Sequence, residues 1–353
     1  MNMIKKTLIT IGLFASLGIH AQDITAYSPN TLDEGIVYFL PKTRLEVKVT
    51  ANKVTYTPGE LCQYAERYLK LQGVSAQPNE YWEIQDILVV PIGVPDTNKV
   101  YAIKLKDKMV TSQVELTDDG IIKAINTTNP TILVNDIPLQ NTQPKRVDPR
   151  SFMTEEMLMA GSTGKTAELI AKEIYNIRES KNSLTRGQAD YMPQDGAALK
   201  IMLENLDKQE KAFTEMFSGY TQHQSQIFTF YVEPNEEIKD QVVFRFSQKL
   251  GVLDNNNLAG EPICISVTNE SNLPPVNEED KKAKKKPVGV IYNIPGKGKV
   301  SVYGMNRKYF EHNFAVTQFG ETEVLTNNLF NKKVNTRVVF NPRTGGIVKI
   351  DKD

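Results

Sequence analysis

The sequence predicts an α+β fold that is mostly β, with two antiparallel β-rich domains, sandwich or barrel-like, joined by a central α-helical hairpin. Apolar and polar residues alternate through "RLEVKV" (44–49), a pattern typical of a strand with one buried face. Beyond residue 149 the apolar period becomes helical. From Gln226 short apolar runs return, separated by Gly, Pro and Asn, which favours a sandwich or barrel.

Residues 1–21 have the order of a secretory signal peptide. A basic start at Lys5 and Lys6 precedes an apolar core over 7–19, and Ala21 precedes the expected cut. The core is too short for a mature transmembrane helix, which needs roughly 20 apolar residues. No cysteine adjoins the cut, so we expect no lipid anchor. These features predict an exported protein, periplasmic or outer-membrane-associated, without a transmembrane segment in the mature chain.

The predicted N-terminal β-rich domain covers residues 22–148. Its one helix lies near 58–71, because Thr57 can cap a helix that has Pro58 at its first position and Glu60 at its third. Strands are expected on both sides of this helix.

The predicted helical hairpin covers residues 149–220. Apolar residues recur at helical spacing through Ile170, Ile174 and Ile177, and a polar loop over 179–194 follows. We expect Asp195 to cap the second helix and Gly219 to end it.

The predicted C-terminal β-rich domain covers residues 221–353. Its first two strands, "QIFTFYVEP" and "DQVVFRFSQ", are expected to be neighbours around a turn at 234–236. A run of acids and lysines at 278–286 is expected to be a solvated hairpin loop.

The charge balance argues against nucleic acid as a partner. The chain has 42 basic and 42 acidic side chains, and removing residues 1–21 removes two lysines and no acid. The remaining formal charge of −2 provides no basic footprint for a polyanion.

Cys62 and Cys264 are the two cysteines of the chain. They lie in different predicted domains, so one long-range disulfide or two free thiols are both compatible with the sequence. They do not form a disulfide framework.

The segment "AGSTGKT" (160–166) resembles two catalytic motifs. A phosphate-binding loop would need glycine at position 159, which is Met159, and would follow a buried strand. A hydrolase elbow at Ser162 needs the same preceding strand, and the surrounding residues are helical. We therefore expect a helix break here, with Ser162 or Thr163 as the cap of the next helix.

Other catalytic and metal patterns are weak. After export His223 and His312 remain, and no cysteine or histidine has metal-ligand spacing. The two carboxylates of a glycoside hydrolase come together from distant parts of a fold, so the sequence alone does not exclude such a pair. We expect no catalytic residue, no cofactor and no metal.

The connection between the two predicted helices is the most informative segment. Long structured loops in compact proteins are often functional, although a packed loop covering the core is the alternative. The residues of this candidate interaction loop are Arg178, Ser183, Arg186, Gly187, Tyr191, Pro193 and Asp195.

Several spaced segments carry a resemblance to a known family. They are "YTPGELCQYAERYLKLQGV", "IYNIRESKNSLTRGQADYMPQDGAALKIMLENLDKQEKAFTEMFSG", "IPGKGKVSV", "AVTQFGETEVL" and "NPRTGGIVKI". The chain resembles an uncharacterised family of exported proteins from Bacteroidetes-type Gram-negative bacteria, described only as a domain of unknown function. The resemblance implies an envelope location in a two-membrane cell and brings no activity, cofactor or catalytic residue.

These observations favour a non-enzymatic interaction or scaffolding protein of the envelope, whose partner is another envelope protein. The alternatives are a binding module for glycan, peptide or lipid, and a hydrolase with a site assembled across the fold. Ser162, His312 and acids gathered in one pocket would favour the enzyme. An apolar patch near the inter-helix connection would favour a partner surface.

Overall fold

The computed structural model describes residues 24–26, 35–104, 113–129, 146–193, 195–271, 289–326 and 336–352. The predicted signal peptide (1–21) and the charged run at 278–286 lie outside the described residues. The described chain is mostly β, as predicted, with few helices.

Thirteen strands and four α-helices make up the described fold. The strands are β1 (Ile24–Ala26), β2 (Gly35–Thr57), β3 (Asn79–Lys104), β4 (Val114–Leu116), β5 (Ile122–Ile125), β6 (Tyr220–Val232), β7 (Ile238–Ser247), β8 (Gly251–Leu253), β9 (Glu261–Asn269), β10 (Gly289–Tyr303), β11 (Lys308–Thr326), β12 (Thr336–Phe340) and β13 (Ile347–Lys352). The helices are α1 (Ala65–Leu69), α2 (Glu155–Leu158), α3 (Thr163–Arg186) and α4 (Gly196–Ser218), with 3₁₀ turns at Cys62–Tyr64 and Pro149–Phe152.

The strands form three antiparallel sheets. The first sheet has the order β1-β3-β2-β6, the second β11-β10-β9-β7-β8, and the third β13-β12-β5-β4. None of these sheets of described strands closes on itself, so the barrel alternative does not apply. The first and second sheets pack face to face through one apolar cluster, in the manner of a sandwich.

Alternation along the strands builds this first cluster. Leu45, Val47 and Val49 of β2 point inward, as the sequence predicted, and meet Phe244 and Ile265 of the second sheet. All five side chains are buried, and Arg44, Glu46 and Lys48 on the other face of β2 remain partly exposed. The hydrophobic effect of burying this face holds the two sheets together.

Two long hairpins extend beyond the sandwich into a second apolar cluster. The β2–β3 hairpin contributes Tyr38 and Leu40, and the β10–β11 hairpin contributes Val290 and Leu325. The third sheet packs against these ends through side chains such as Phe340. Each long hairpin therefore contributes side chains from one half to the first apolar cluster and from the other half to the second.

The two predicted β-rich domains are not confirmed as separate units. The second half of β2, from the predicted N-terminal domain, pairs with β6, from Leu45↔Val232 to Thr57↔Tyr220. β5 likewise pairs with β12, through Val338↔Ile125. Strands of both predicted domains therefore lie together in two of the three sheets. In each case a strand pairs with a neighbour that is far away in sequence.

The expected hairpin of "QIFTFYVEP" and "DQVVFRFSQ" was wrong. β6 pairs with β2 in the first sheet, whereas β7 pairs with β8 and β9 in the second. The turn near residues 234–236 connects the two layers of the sandwich, so Phe230 and Phe244 stack across the core, with ring centroids 5.1 Å apart.

Both long hairpins bend at a buried polar joint between the two apolar clusters. The β2–β3 register changes from Phe39↔Val100 to Pro41↔Pro95, and the β10–β11 register from Ile294↔Glu321 to Gly296↔Val316. Bulges of this kind bend strands locally. A Cβ at Gly296 would overlap the carbonyl oxygen of Phe319, so the close approach at this bend requires glycine.

Hydrogen bonds tie the two hairpins together at this joint. Thr43 N donates to Thr317 Oγ1 (2.9 Å), and Thr317 N donates to Thr43 Oγ1 (3.0 Å). Asn293 Nδ2 donates to the carbonyl oxygens of Pro41 (2.9 Å) and Thr344 (3.0 Å). Asn293 is 1% exposed and its hydrogen bond to Pro41 is buried, so this bond satisfies a backbone acceptor that water does not reach.

The helices form a third cluster at the end of the first sheet where β2 ends and β6 begins. Ile170 and Ile174 of α3 pack with Phe213 and Phe217 of α4 and with Leu61. The predicted central position of the helical hairpin between two domains is therefore not confirmed.

The helix expected near 58–71 is shorter than predicted. A 3₁₀ turn begins at Cys62, and α1 covers Ala65–Leu69. Leu61 N donates to the carbonyl oxygen of Met216 (2.8 Å), and Gly59 lies directly against the same carbonyl. The end of α4 therefore fixes the backbone at 58–61 in a non-helical path.

We expect Asn293→Ala to lower the free energy of unfolding by about 2 kcal/mol, because it removes the donor to the buried carbonyl oxygen of Pro41 and to the part-buried one of Thr344. Chemical denaturation measures the change. Asn313→Ala, at an exposed position of β11, is the control and is expected to change stability by less than about 0.5 kcal/mol. Equal effects of the two substitutions would contradict the importance of the joint.

Candidate functional site

The helical hairpin is longer and its connection shorter than the sequence predicted. α3 continues to Arg186, so Ser183 and Arg186 lie on a helix and not in the predicted loop at 179–194, and the candidate residue Arg178 lies on the same helix. Leu184 explains the extension, because it is 6% exposed and continues the buried stripe of α3 beyond Ile177.

The connection between the helices covers residues 187–195. Gly187 ends α3 in the left-handed conformation (φ 68°), which glycine adopts without strain. Asp195 caps α4, as predicted, by accepting a hydrogen bond from Ala198 N at 2.6 Å. Between them Tyr191 is 74% exposed and Pro193 is half-buried.

An ion cluster fastens α3 to α4 just below the connection. Glu210 accepts hydrogen bonds from Arg178 Nε (2.6 Å) and Lys181 Nζ (2.9 Å), and Lys181 also pairs with Asp207. Burial alone would raise the pKa of the Glu210 carboxyl, but the hydrogen bonds from Arg178 and Lys181 outweigh burial and lower it. The hydrogen bond to Asp207, and then that to Glu210, raises the pKa of Lys181.

Beyond this ion cluster the two helices form an arm, which we define as residues 182–193 and 195–206. Of these residues Leu184 is the buried one, and no residue of α4 before Ala212 is buried. Apolar side chains of the arm therefore reach the surface: Ile201 is 59% exposed, and Met202 and Leu203 are half-buried. Together with Tyr191 they are the apolar residues that the end of the arm leaves accessible to solvent, and accessible apolar residues can mark interaction sites.

A second feature is a cleft of about 410 Å³ at the base of the helical cluster. The Arg146 guanidinium lies over the Tyr220 ring at 3.8 Å, and its Nε is 3.0 Å from Glu215 Oε2. Arg150 faces Glu60 at 3.3 Å. Sequence reasoning missed this cleft because its residues come from three distant segments, none of which carries a local motif.

The residues of the two rejected catalytic motifs lie in different parts of the fold. Ser162 caps α3 by accepting a hydrogen bond from Lys165 N at 3.2 Å, as the helix-break prediction required. His312 lies on β11 beside the rings of Phe310 and Phe314. Ser162 belongs to the helical end and His312 to the edge of the second sheet, so the structure does not bring the two side chains into one pocket.

The cysteines and acids show no metal-binding arrangement in the described ranges. No three His, Cys, Asp or Glu side chains in this part of the chain are grouped so that they could hold a metal ion. Cys62 and Cys264 are free thiols, each half-buried. Burial raises the pKa of the Cys264 thiol, which makes it a poorer nucleophile at neutral pH.

Comparison with known proteins identifies the family. A family model described as a domain of unknown function (DUF4831) matches residues 34–348, and the chain belongs to this family. No curated protein and no solved structure matches the chain. Among the described residues no helix combines the length and the apolar character needed to cross a membrane.

We expect Glu210→Gln to destabilise the arm by about 1–2 kcal/mol, because both cations lose a charged partner. The folded-state pKa of Glu210 is lowered, so its stabilisation is present above the unfolded pKa of about 4.3 and is lost as pH falls through the lower, folded pKa. Protection of α3 amides from hydrogen exchange at pH 7 measures the effect of the substitution, and a pH series down to about pH 3 measures the pH dependence.

Glu204→Gln is the matched control for this experiment. Glu204 lies on the same helix, but its side chain is 51% exposed and 3.9 Å from Lys200. An equal effect of both substitutions on α3 exchange would show that the ion cluster does not fasten the arm.

Proposed function

We propose that this protein is an exported envelope protein that acts as a non-enzymatic interaction module, with the end of the arm as its docking surface. The observation that carries the proposal is the exposure of apolar side chains at the end of the arm, Tyr191 on the connection and Ile201 on α4, above two helices fastened together by the Glu210 ion cluster. Its occupant is a second envelope protein.

The arrangement suits recognition because an exposed aromatic ring is held on an ordered support. A large amphipathic side chain such as Tyr191 loses little conformational entropy on binding, and such side chains are enriched at binding hot spots. The ordered cap at Gly187 and the N-cap at Asp195 fix the connection on both sides. Arg186, the last residue of α3, is exposed and offers a charge on the arm.

The envelope location is supported by the signal-peptide pattern over residues 1–21 and by the segments that carry the family resemblance. The separation of Ser162 from His312 favours an interaction module over a hydrolase, because general-base activation of a serine needs a histidine within hydrogen-bond reach.

Photoreactive groups at Arg186 and Tyr191 test the proposal in intact cells. We expect both positions to capture the same envelope protein, and Tyr191→Ser to reduce capture at Arg186 by roughly tenfold. In the cross-linked product, the chain of this protein is also expected to begin at Gln22, since export removes residues 1–21.

A photoreactive group at Leu158 is the control, because this side chain is 59% exposed on the helical cluster but outside the arm. Capture of the same proteins at Leu158, or of no protein at Arg186 and Tyr191, would contradict a docking surface on the arm. If this protein retains residues 1–21 in the cross-linked product, export is contradicted.

A further inference from the structure

Three turns lie together at one end of the second sheet. The β7–β8 turn follows Ser247, which pairs with Gly251, and the 254–260 loop enters β9 beside Phe246. The β10–β11 turn follows Tyr303, which pairs with Cys264 near the start of β9. The antiparallel order β11-β10-β9-β7-β8 therefore places all three turns at the same end.

Each turn has a large aliphatic side chain exposed on it. Leu250 is 57% exposed, Leu258 is 82% exposed and Met305 is 73% exposed. Single exposed apolar residues are common on protein surfaces and need no explanation. Here each of three turns at the same end of one sheet has one, and such a group can mark an interaction site.

Hydrogen bonds hold these turns in place. Arg245 donates from Nε to Asn255 O (2.8 Å) and from Nη1 to Gly260 O (3.1 Å), which fixes the 254–260 loop across β7. Trp82 N donates to Gln248 O (2.7 Å), and Gly304 N donates to Arg307 O (2.8 Å). The apolar side chains are thus presented to solvent by an ordered framework.

Cations and acids occupy different positions around the three turns. Lys249 adjoins Leu250, and Arg307 lies two residues after Met305, so exposed cations accompany two of the three apolar side chains. The acids Asp254 and Glu261 lie at the two ends of the 254–260 loop, where it joins the strands. Leu258 itself is flanked by uncharged residues.

We propose that this end of the second sheet, which we term the turn surface (residues 248–250, 254–260 and 304–307), docks on a phospholipid bilayer that contains anionic lipid. The apolar side chains enter the interface, and Lys249 and Arg307 contact the headgroup phosphates. Leu250, Leu258 and Met305 are exposed on three separate turns, and a deformable lipid interface accommodates separately placed side chains more readily than a shaped protein partner does. Aliphatic insertion and cationic contact each add to membrane affinity.

The turn surface and the arm are different parts of the molecule, so this proposal does not depend on the proposed function. The exposed positions of the turns also allow substitution without loss of core packing. A thermal unfolding midpoint within about 2 °C of the unchanged protein verifies that each variant is folded.

Vesicle co-sedimentation with the full chain tests the proposal, using phosphatidylethanolamine vesicles with and without phosphatidylglycerol. We expect Leu258→Ser with Met305→Ser to lower partitioning by roughly tenfold or more, because inserted methylene groups are lost. Lys249→Glu with Arg307→Glu is expected to lower it by a similar factor only when phosphatidylglycerol is present.

Leu158→Ser with Met159→Ser is the matched control, since these side chains are 59% and 76% exposed on the helical cluster. All variants keep the same N-terminus, so any contribution of residues 1–21 cancels in the comparison. Unchanged partitioning of the Leu258 and Met305 variant, or an equal loss in the control, would overturn the proposal. Concentration-dependent self-association that the turn substitutions abolish would also overturn it, in favour of a second copy as the occupant.

Discussion

The buried polar joint between the two long hairpins is the constraint on which the rest of the structure depends. Thr43 and Thr317 exchange backbone-to-hydroxyl hydrogen bonds, and Asn293 binds the carbonyl oxygens of Pro41 and Thr344. Because β2 and β10 pass through this joint without interruption, the apolar clusters on either side of it are built on the same strands. The bend lets each hairpin leave the sandwich and support the third sheet, and the polar groups fix where that bend occurs.

Local signals in the sequence predicted local features of this fold. Spacing and side-chain chemistry within a few residues predict the inward-facing side chains of β2. They also predict the Ser162 and Asp195 caps and the glycine at the end of α4. Strand partners did not follow, because β6 completes the first sheet beside β2 and not beside β7, and this choice depends on packing between layers. The end of α3 was misplaced because its exposed Ser and Asn residues resemble a loop, while Leu184 alone continues the buried stripe.

Several of the segments that carried the family resemblance meet at the joint. "IPGKGKVSV" begins one residue after Asn293, "AVTQFGETEVL" contains Thr317, and "NPRTGGIVKI" contains Thr344. These segments therefore contain or adjoin residues whose side chains or carbonyl groups form the joint. The candidate interaction residues were only partly predictable: the hairpin was identified from its period, but the exposure of its apolar side chains depends on how little of α4 the rest of the molecule covers. Exposed apolar residues on the arm and on the turns of the second sheet lie outside the clusters that the joint connects.

Native-state hydrogen exchange across denaturant concentrations tests most directly whether the joint unites the two apolar clusters. The comparison is between β2 amides on its two sides, Tyr38 to Leu40 and Leu45 to Val49. If the joint makes one cooperative unit, both groups exchange through the same global opening, with free energies that agree within about 1 kcal/mol and converge with denaturant. A separate, lower-energy opening of the Tyr38 to Leu40 side, with Leu45 to Val49 still protected, would show that the joint does not unite the two clusters.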